Sequence, residues 1–572
     1  MSLTRCVLNL SLAVALACLL SSCGGGGSGG GNGGQSGPTF SVSANTMTFA
    51  AAAPTAAVPN NQPITGTVNG SVSGTLYMVA KTQPSFIETT SVFSGTGNSR
   101  QSTVTPLGPD LLNAGSMSGT ITVAACVDDP LCTTGNLAGS PQTITVNYTV
   151  GSPVIPPDIV MPRIAVAGQS DSVVIRGRAF TGATSVRFGS NAAVSFSIIS
   201  DTEIRAVYPA LTAGTYAVTL NSGGIAFSGS IVAQTPIGYP AETLALPNPP
   251  TQITFLRYDA ERRAILVGGS YFPSTTIPNK IWRFEYVGGS AGSVWSAPTT
   301  NDVPGLTTAI VSPDGSRILV LGNAGVVERS PDLLTALRTS PAPGSTGTRI
   351  QSLYSIAVAN DGNAMIMATS DGVSPYPTYY YSLTGGTYAA IGVGFGAFPR
   401  GLAGAANGSR IYGGISGISP DQPIMEFNSS TGRRTFTIPS DQHGPIAISR
   451  DAGKIVVYAP SGFDNGARIF SGTTLQGKIL GWQSINDLFN AVQLVTINPQ
   501  GTRAFVLRGD SGTNIRALHT FALDQPTVGG FFPEVGSGTT LSVPGPSSMA
   551  ITPDGGTLII ASAAGVLVMP AP

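Results

Sequence analysis

The chain has 572 residues, of which 42% are hydrophobic and only 10% charged, and its 28 basic side chains balance 28 acidic ones. Without a basic surplus to neutralise a phosphate backbone, nucleic acid is not an expected partner. Two histidines in the whole sequence, His443 and His519, leave no material for a multi-histidine metal centre.

The N-terminus reads as an export signal over residues 1–22. Arg5 supplies the positive start, and the apolar run from Val7 to Leu20 is short for a membrane span. The run ends Leu20-Ser-Ser-Cys23, which resembles a bacterial lipobox. That resemblance implies cleavage before Cys23 and a diacylglycerol on its thiol, so that the membrane is a partner through an N-terminal lipid anchor. Gly24 stands where Asp would signal inner-membrane retention, so the expected address is the outer membrane, facing the periplasm or the surface. Residues 23–38 are then the lipidated Cys and a tether, nearly all Gly, Ser and Asn. Such a segment has no means of forming a core; it spans about 20 Å on average and about 50 Å when stretched.

Five cysteines sort without remainder. Cys6 and Cys18 leave with the signal and Cys23 carries lipid. Cys126 and Cys132 remain in an exported compartment, where a turn between them suits a short disulfide staple.

Residues 39–151 predict a β-sandwich of immunoglobulin-like type. Thr75-Leu-Tyr-Met-Val-Ala80 and Gln142-Thr-Ile-Thr-Val-Asn-Tyr-Thr-Val150 alternate apolar with small polar residues between Gly, Pro and Asn breaks. In residues 152–235, Val173-Val-Ile-Arg-Gly177, Phe180, Val186-Arg-Phe-Gly189, Asp201-Thr-Glu-Ile204, Pro209 and Gly214-Thr-Tyr-Ala-Val218 resemble the IPT/TIG family of immunoglobulin-like folds. The resemblance implies a module that spaces and orients its neighbour. The Pro-rich joint Val154-Ile-Pro-Pro-Asp158 reads as stiff and extended.

From residue 236 to 572 one phrase recurs seven times: apolar strand, tight turn, apolar strand. Ala309-Ile-Val-Ser-Pro-Asp-Gly-Ser-Arg-Ile-Leu-Val-Leu-Gly322 is the clearest copy. Equivalent turn positions fall at Ala260, Asp314, Asp361, Asn407, Asp451, Gln500 and Asp554, a spacing that suits four-stranded propeller blades. Asp-Gly and Asn-Gly here are turn chemistry, because the turn demands positive φ. The flanking strands are almost continuously apolar, as in Ile318-Leu-Val-Leu321, which fits burial on both faces. The last copy stops after three strands, and Glu242-Thr-Leu-Ala-Leu246 is the candidate to complete it. The repeats resemble the YVTN-type and lactonase-like propellers of exported bacterial proteins. The expected fold is thus all-β: two immunoglobulin-like sandwiches, then a seven-bladed β-propeller closed by an N-terminal strand.

Function is expected on the propeller face away from the turns, where long loops follow the second strands. Candidates there are Tyr271, Phe272, Tyr376 and Phe463 as aromatic surface, with Asp302, Arg349, Arg400, Asp441 and His443 on neighbouring loops. These side chains suit a protein, peptide or glycan, and no cofactor is implied. The lactonase-like resemblance offers a hydrolase as the alternative, with Asp302, Asp441 and Asp487 as metal-ligand candidates, although no spacing singles them out; a purely structural or adhesive surface protein is the third reading. Arg508-Gly-Asp510 spells an adhesion tripeptide of the kind that arises by chance.

Overall fold

The computed structural model describes residues 37–572, apart from 153–157, 222–225, 275, 289–292, 344–349, 371–375, 396–397, 417–423, 439–445, 460–465, 480–491 and 510–515. The signal, the lipobox, the tether as far as residue 36, and the Pro-rich joint before Asp158 lie outside these residues. The regular structure is β-strand but for one short 3-10 turn, Pro109–Leu111, and among the described residues no helix is long and apolar enough to cross a membrane.

The first sandwich pairs two four-stranded sheets. One runs Thr39–Val42, Gln62–Asn69, Ser99–Pro106, Ile87–Thr90; the other runs Thr46–Ala51, Gln142–Val150, Gly115–Val127, Leu76–Thr82. Alternation drives this. Along Gln142–Val150 every second side chain is buried, and Ile144, Val146 and Tyr148 join Phe49, Ile64 and Val104 in one core. Cys126 and Cys132 form a disulfide with Cα atoms 5.3 Å apart. The second sandwich faces Ser195–Ser200, Glu203–Tyr208, Asp171–Arg176 and Ile159–Met161 against a sheet built on Gly214–Leu220 and Ser230–Gln234. Ile175, Phe188, Ile204 and Tyr208 fill the space between them.

Seven four-stranded antiparallel sheets follow. Their innermost strands are Gln252–Asp259, Leu306–Val311, Ile350–Val358, Phe398–Gly404, Ile446–Ile448, Val492–Ile497 and Pro546–Ile551, and each touches the next in cyclic order, the last against the first. This is a propeller-like ring. The seventh sheet takes its fourth strand from before the first: Glu242–Leu244 pairs antiparallel with Gly565–Pro570. Second strands such as Ile318–Gly322 and Thr557–Ser562 are buried along their whole length, since each is covered by the sheets on both sides.

The turns behave as capped hairpins. In the second sheet Ser312 Oγ donates to Asp314 Oδ1 at 2.6 Å and the Ser316 amide to the same oxygen at 3.1 Å. Asp451 and Asp554 accept the same pair of bonds in their own turns. Gly315, Gly362, Gly408, Gly501 and Gly555 all sit at φ between 64° and 84°. One expectation shifts by a residue. Strand pairing of Asp259 with Ala264, and of Arg410 with Asn428 as Ala264 with Glu285, sets Glu261 rather than Ala260 at the level of Asp314. Positive φ in that first turn falls on Arg263.

The turn end of the ring is covered by the second sandwich. Arg163 donates to Glu261 Oε2 at 3.2 Å and to the Asp314 carbonyl. Arg450, from the fifth turn, pairs with Asp171 at 3.0 Å and reaches the Ile164 carbonyl. Arg176 and Glu203, both fully buried, pair at 2.8 Å, and Arg176 goes on to the Ser429 carbonyl while Ser430 donates to Glu203. The first sandwich is tied in separately: Arg434 Nε lies 2.7 Å from Asp110 Oδ2, with both side chains shielded from solvent.

In the fifth turn the left-handed position is held by Ala452, at φ 62°, where five other turns have Gly. An L-residue there costs about 1–2 kcal/mol, and the extra flexibility of Gly in the unfolded chain takes back about half. Ala452→Gly is therefore expected to stabilise the protein by about 0.5–1 kcal/mol, read as a rise in the urea midpoint at unchanged slope.

Candidate functional site

Antiparallel geometry divides the ring into two ends. First strands run toward the turns and second strands away from them, so the segment after Ser270 lies at the end opposite the second sandwich. At the turn end of the ring the inner strands enclose a central cavity of about 560 Å³, within the usual range for small-molecule cavities. Its wall mixes aliphatic side chains, among them Ile310, Val311, Ile356, Leu402, Ile448 and Ile497, with polar and charged groups. At the turn end Met161, Pro162, Arg163 and Ile164 of the second sandwich line it.

Sequence reasoning placed its candidates on the opposite end, and the structure separates two that it treated alike. Phe272 is 70% exposed, and Ile277 in the same loop is 47% exposed, giving that loop an apolar tip. Tyr271 is only 8% exposed: its ring packs in the core with Trp282 and Leu246, and its hydroxyl donates to the Asn248 carbonyl. Burial pushes its phenol above the ordinary range, with Lys280 pulling it back. Tyr271 therefore fastens the loop to the first sheet and does not belong to an exposed aromatic surface.

Asp302, the last residue of Thr299–Asp302, is half exposed, and its carboxylate is taken by the Lys280 ammonium across the strand pair. That ion pair competes with any role as a metal ligand. Tyr376 begins the strand Tyr376–Ser382 and Arg400 lies within Phe398–Gly404, on sheets three and four. Arg349, Asp441, His443, Phe463, Asp487 and Asp510 fall outside the described residues. His519 sits in Arg516–Ala522 with Nδ1 2.6 Å from Glu534 Oε1, a local pairing that fixes the Glu534 segment to the sheet. Among the described residues no group of three or more His, Cys, Asp or Glu side chains converges as a metal site would.

Sequence reasoning passed over Arg257, which stands in the cavity wall. The signal was present in the repeats themselves: counting back from each turn, the other six inner strands carry uncharged residues at the same level.

The two roles in the Ser270–Pro278 loop are separable by mutation. Tyr271→Phe removes one hydrogen bond and is expected to lower stability by about 1 kcal/mol, and Tyr271→Ala by about 3–5 kcal/mol, in chemical denaturation. Phe272→Ala should leave the unfolding midpoint unchanged.

Residues 157–236 match the model of the IPT/TIG domain. No curated protein sequence matches the chain. Among solved structures, a chain in the crystal structure of the mitotic checkpoint complex aligns with 61% of this chain and 99% of its own length, at 13% identity and a TM-score of 0.42. The β-propeller domain of Cps50 (Swd1) from Myceliophteria thermophila aligns with 57% of this chain and 99% of its own, at 10% identity and a TM-score of 0.41. The chain is all-β and contains an IPT/TIG domain, of immunoglobulin-like fold, followed by a propeller-like ring.

Proposed function

We propose that this protein is a cell-envelope lipoprotein, anchored in the outer membrane through Cys23, whose seven-bladed propeller binds a protein, peptide or glycan at the end away from the turns. The immunoglobulin-like domains space and orient the ring, and the Gly-rich segment gives them reach. The observation that carries this reading is the docking of the second sandwich on the turn end. With one end of the ring taken by its own chain, the other is the end free to meet a partner. The exposed Phe272 and Ile277 at that end support it further, because apolar anchors rimmed by polar loops are the usual centres of binding energy at interfaces.

The anchor is tested by metabolic labelling with an alkyne fatty acid. The wild-type chain should carry the label and sediment with outer membranes, whereas Cys23→Ser should carry none and leave the membrane fraction. Labelling that persists in Cys23→Ser would remove the anchor from this picture.

The binding end is tested by selecting ligands for the purified full chain from a peptide library and a glycan array. Phe272→Ala combined with Ile277→Ser should weaken the selected ligands about tenfold or more. Ligands whose affinity is indifferent to both substitutions would place binding elsewhere.

A further inference from the structure

Arg257 lies on the innermost strand of the first sheet, two residues before the turn-closing Asp259, and lines the central cavity. At the same level the other inner strands carry Ile310, Ala357, Ala403, Ala447, Thr496 and Ala550. Its guanidinium has one hydrogen bond, from Nη1 to the Leu256 carbonyl at 2.9 Å, and no carboxylate partner among the described residues. The other charged groups lining the cavity are satisfied elsewhere. Arg163 pairs with Glu261, Arg450 with Asp171, and Asp259 with Arg262 and two backbone amides. Burial alone lowers the Arg257 pKa, with no neighbouring carboxylate to oppose it.

A half-buried guanidinium facing a cavity without a counter-charge is unfavourable, and it is a ready partner for an anion that enters the cavity. Its planar fork matches a carboxylate, and the aliphatic side chains that share the cavity, such as Ile310 and Ile356, match an apolar body. A structural explanation falls short, because the same level of six sister strands closes with small or aliphatic residues. We propose that the cavity is a binding site for an amphipathic carboxylate, an apolar chain or ring whose carboxylate is held by Arg257. Met161–Ile164 of the second sandwich line the same cavity, so the bound molecule lies between the sandwich and the ring. This site is independent of macromolecular binding at the loop end, and either can fail without the other.

The probe is decanoate, titrated by calorimetry into the full-length protein, with decanol as the uncharged counterpart. Wild-type protein should bind decanoate measurably and decanol at least tenfold more weakly. Arg257→Gln should weaken decanoate by about ten- to a hundredfold while leaving decanol unchanged, and Arg257→Lys should fall between. Circular dichroism melts confirm that each variant is folded. If Arg257→Gln fails to fold, Arg257→Lys together with wild-type protection of Arg257 from a guanidine-modifying dicarbonyl by decanoate decides the matter. Equal decanoate affinity in folded Arg257→Gln, no decanoate binding by wild type, or modification of Arg257 at the same rate with and without decanoate would each overturn the proposal.

Discussion

The ring depends on strands that have no solvent face. A second strand such as Ile318–Gly322 or Thr557–Ser562 buries both rows of side chains, and it can do so only when sheets stand on either side of it. No single sheet of the seven satisfies that condition alone. Each is stable in proportion to its neighbours, and the series has no free end once the inner strands meet in a cycle. Sheet-to-sheet packing thus supplies the hydrophobic term, while the Asp and Asn caps merely set where each hairpin bends.

Against this apolar frame two buried ion pairs stand at seams between domains. Arg176 with Glu203, and Arg434 with Asp110, join the sandwiches to the ring in places shielded from solvent. Such pairs contribute little net stability compared with apolar contacts of the same size, yet losing one partner strands the other at high cost. Their value lies in orientation, since a guanidinium that must meet a carboxylate and a carbonyl together permits one docking pose. Glu328 plays the same part inside the ring. Burial raises its pKa, but hydrogen bonds from Tyr381, Arg338 and Arg317 outweigh that and hold it below the ordinary range.

Much of this architecture was legible because it is periodic. The strand-turn-strand phrase, the alternation in the first sandwich and the short Cys126–Cys132 spacing each leave a local imprint. What escaped was three-dimensional. The first turn lacks Pro-Asp-Gly, so Ala260 was matched by spacing where strand pairing selects Glu261. Tyr271 and Phe272 are neighbours of the same chemical type, and only the packing of Trp282 against one of them tells core from surface. Arg257 reads as an ordinary strand residue until the seven copies are superposed and its level is seen to be uncharged everywhere else.

The pairing of Glu242–Leu244 with Gly565–Pro570 joins the first-made and last-made parts of the ring. Because the chain is made N-terminus first, the strand that completes the seventh sheet is synthesised well before the sheet it belongs to. Folding of the ring cannot finish until synthesis does, and meanwhile the unfinished edges stay open to wrong partners. The closing strand is only three residues long, with an exposed Thr243 at its centre. A segment that small offers little to a stray edge during the wait, which makes its brevity a safeguard during synthesis rather than a weakness of the finished ring.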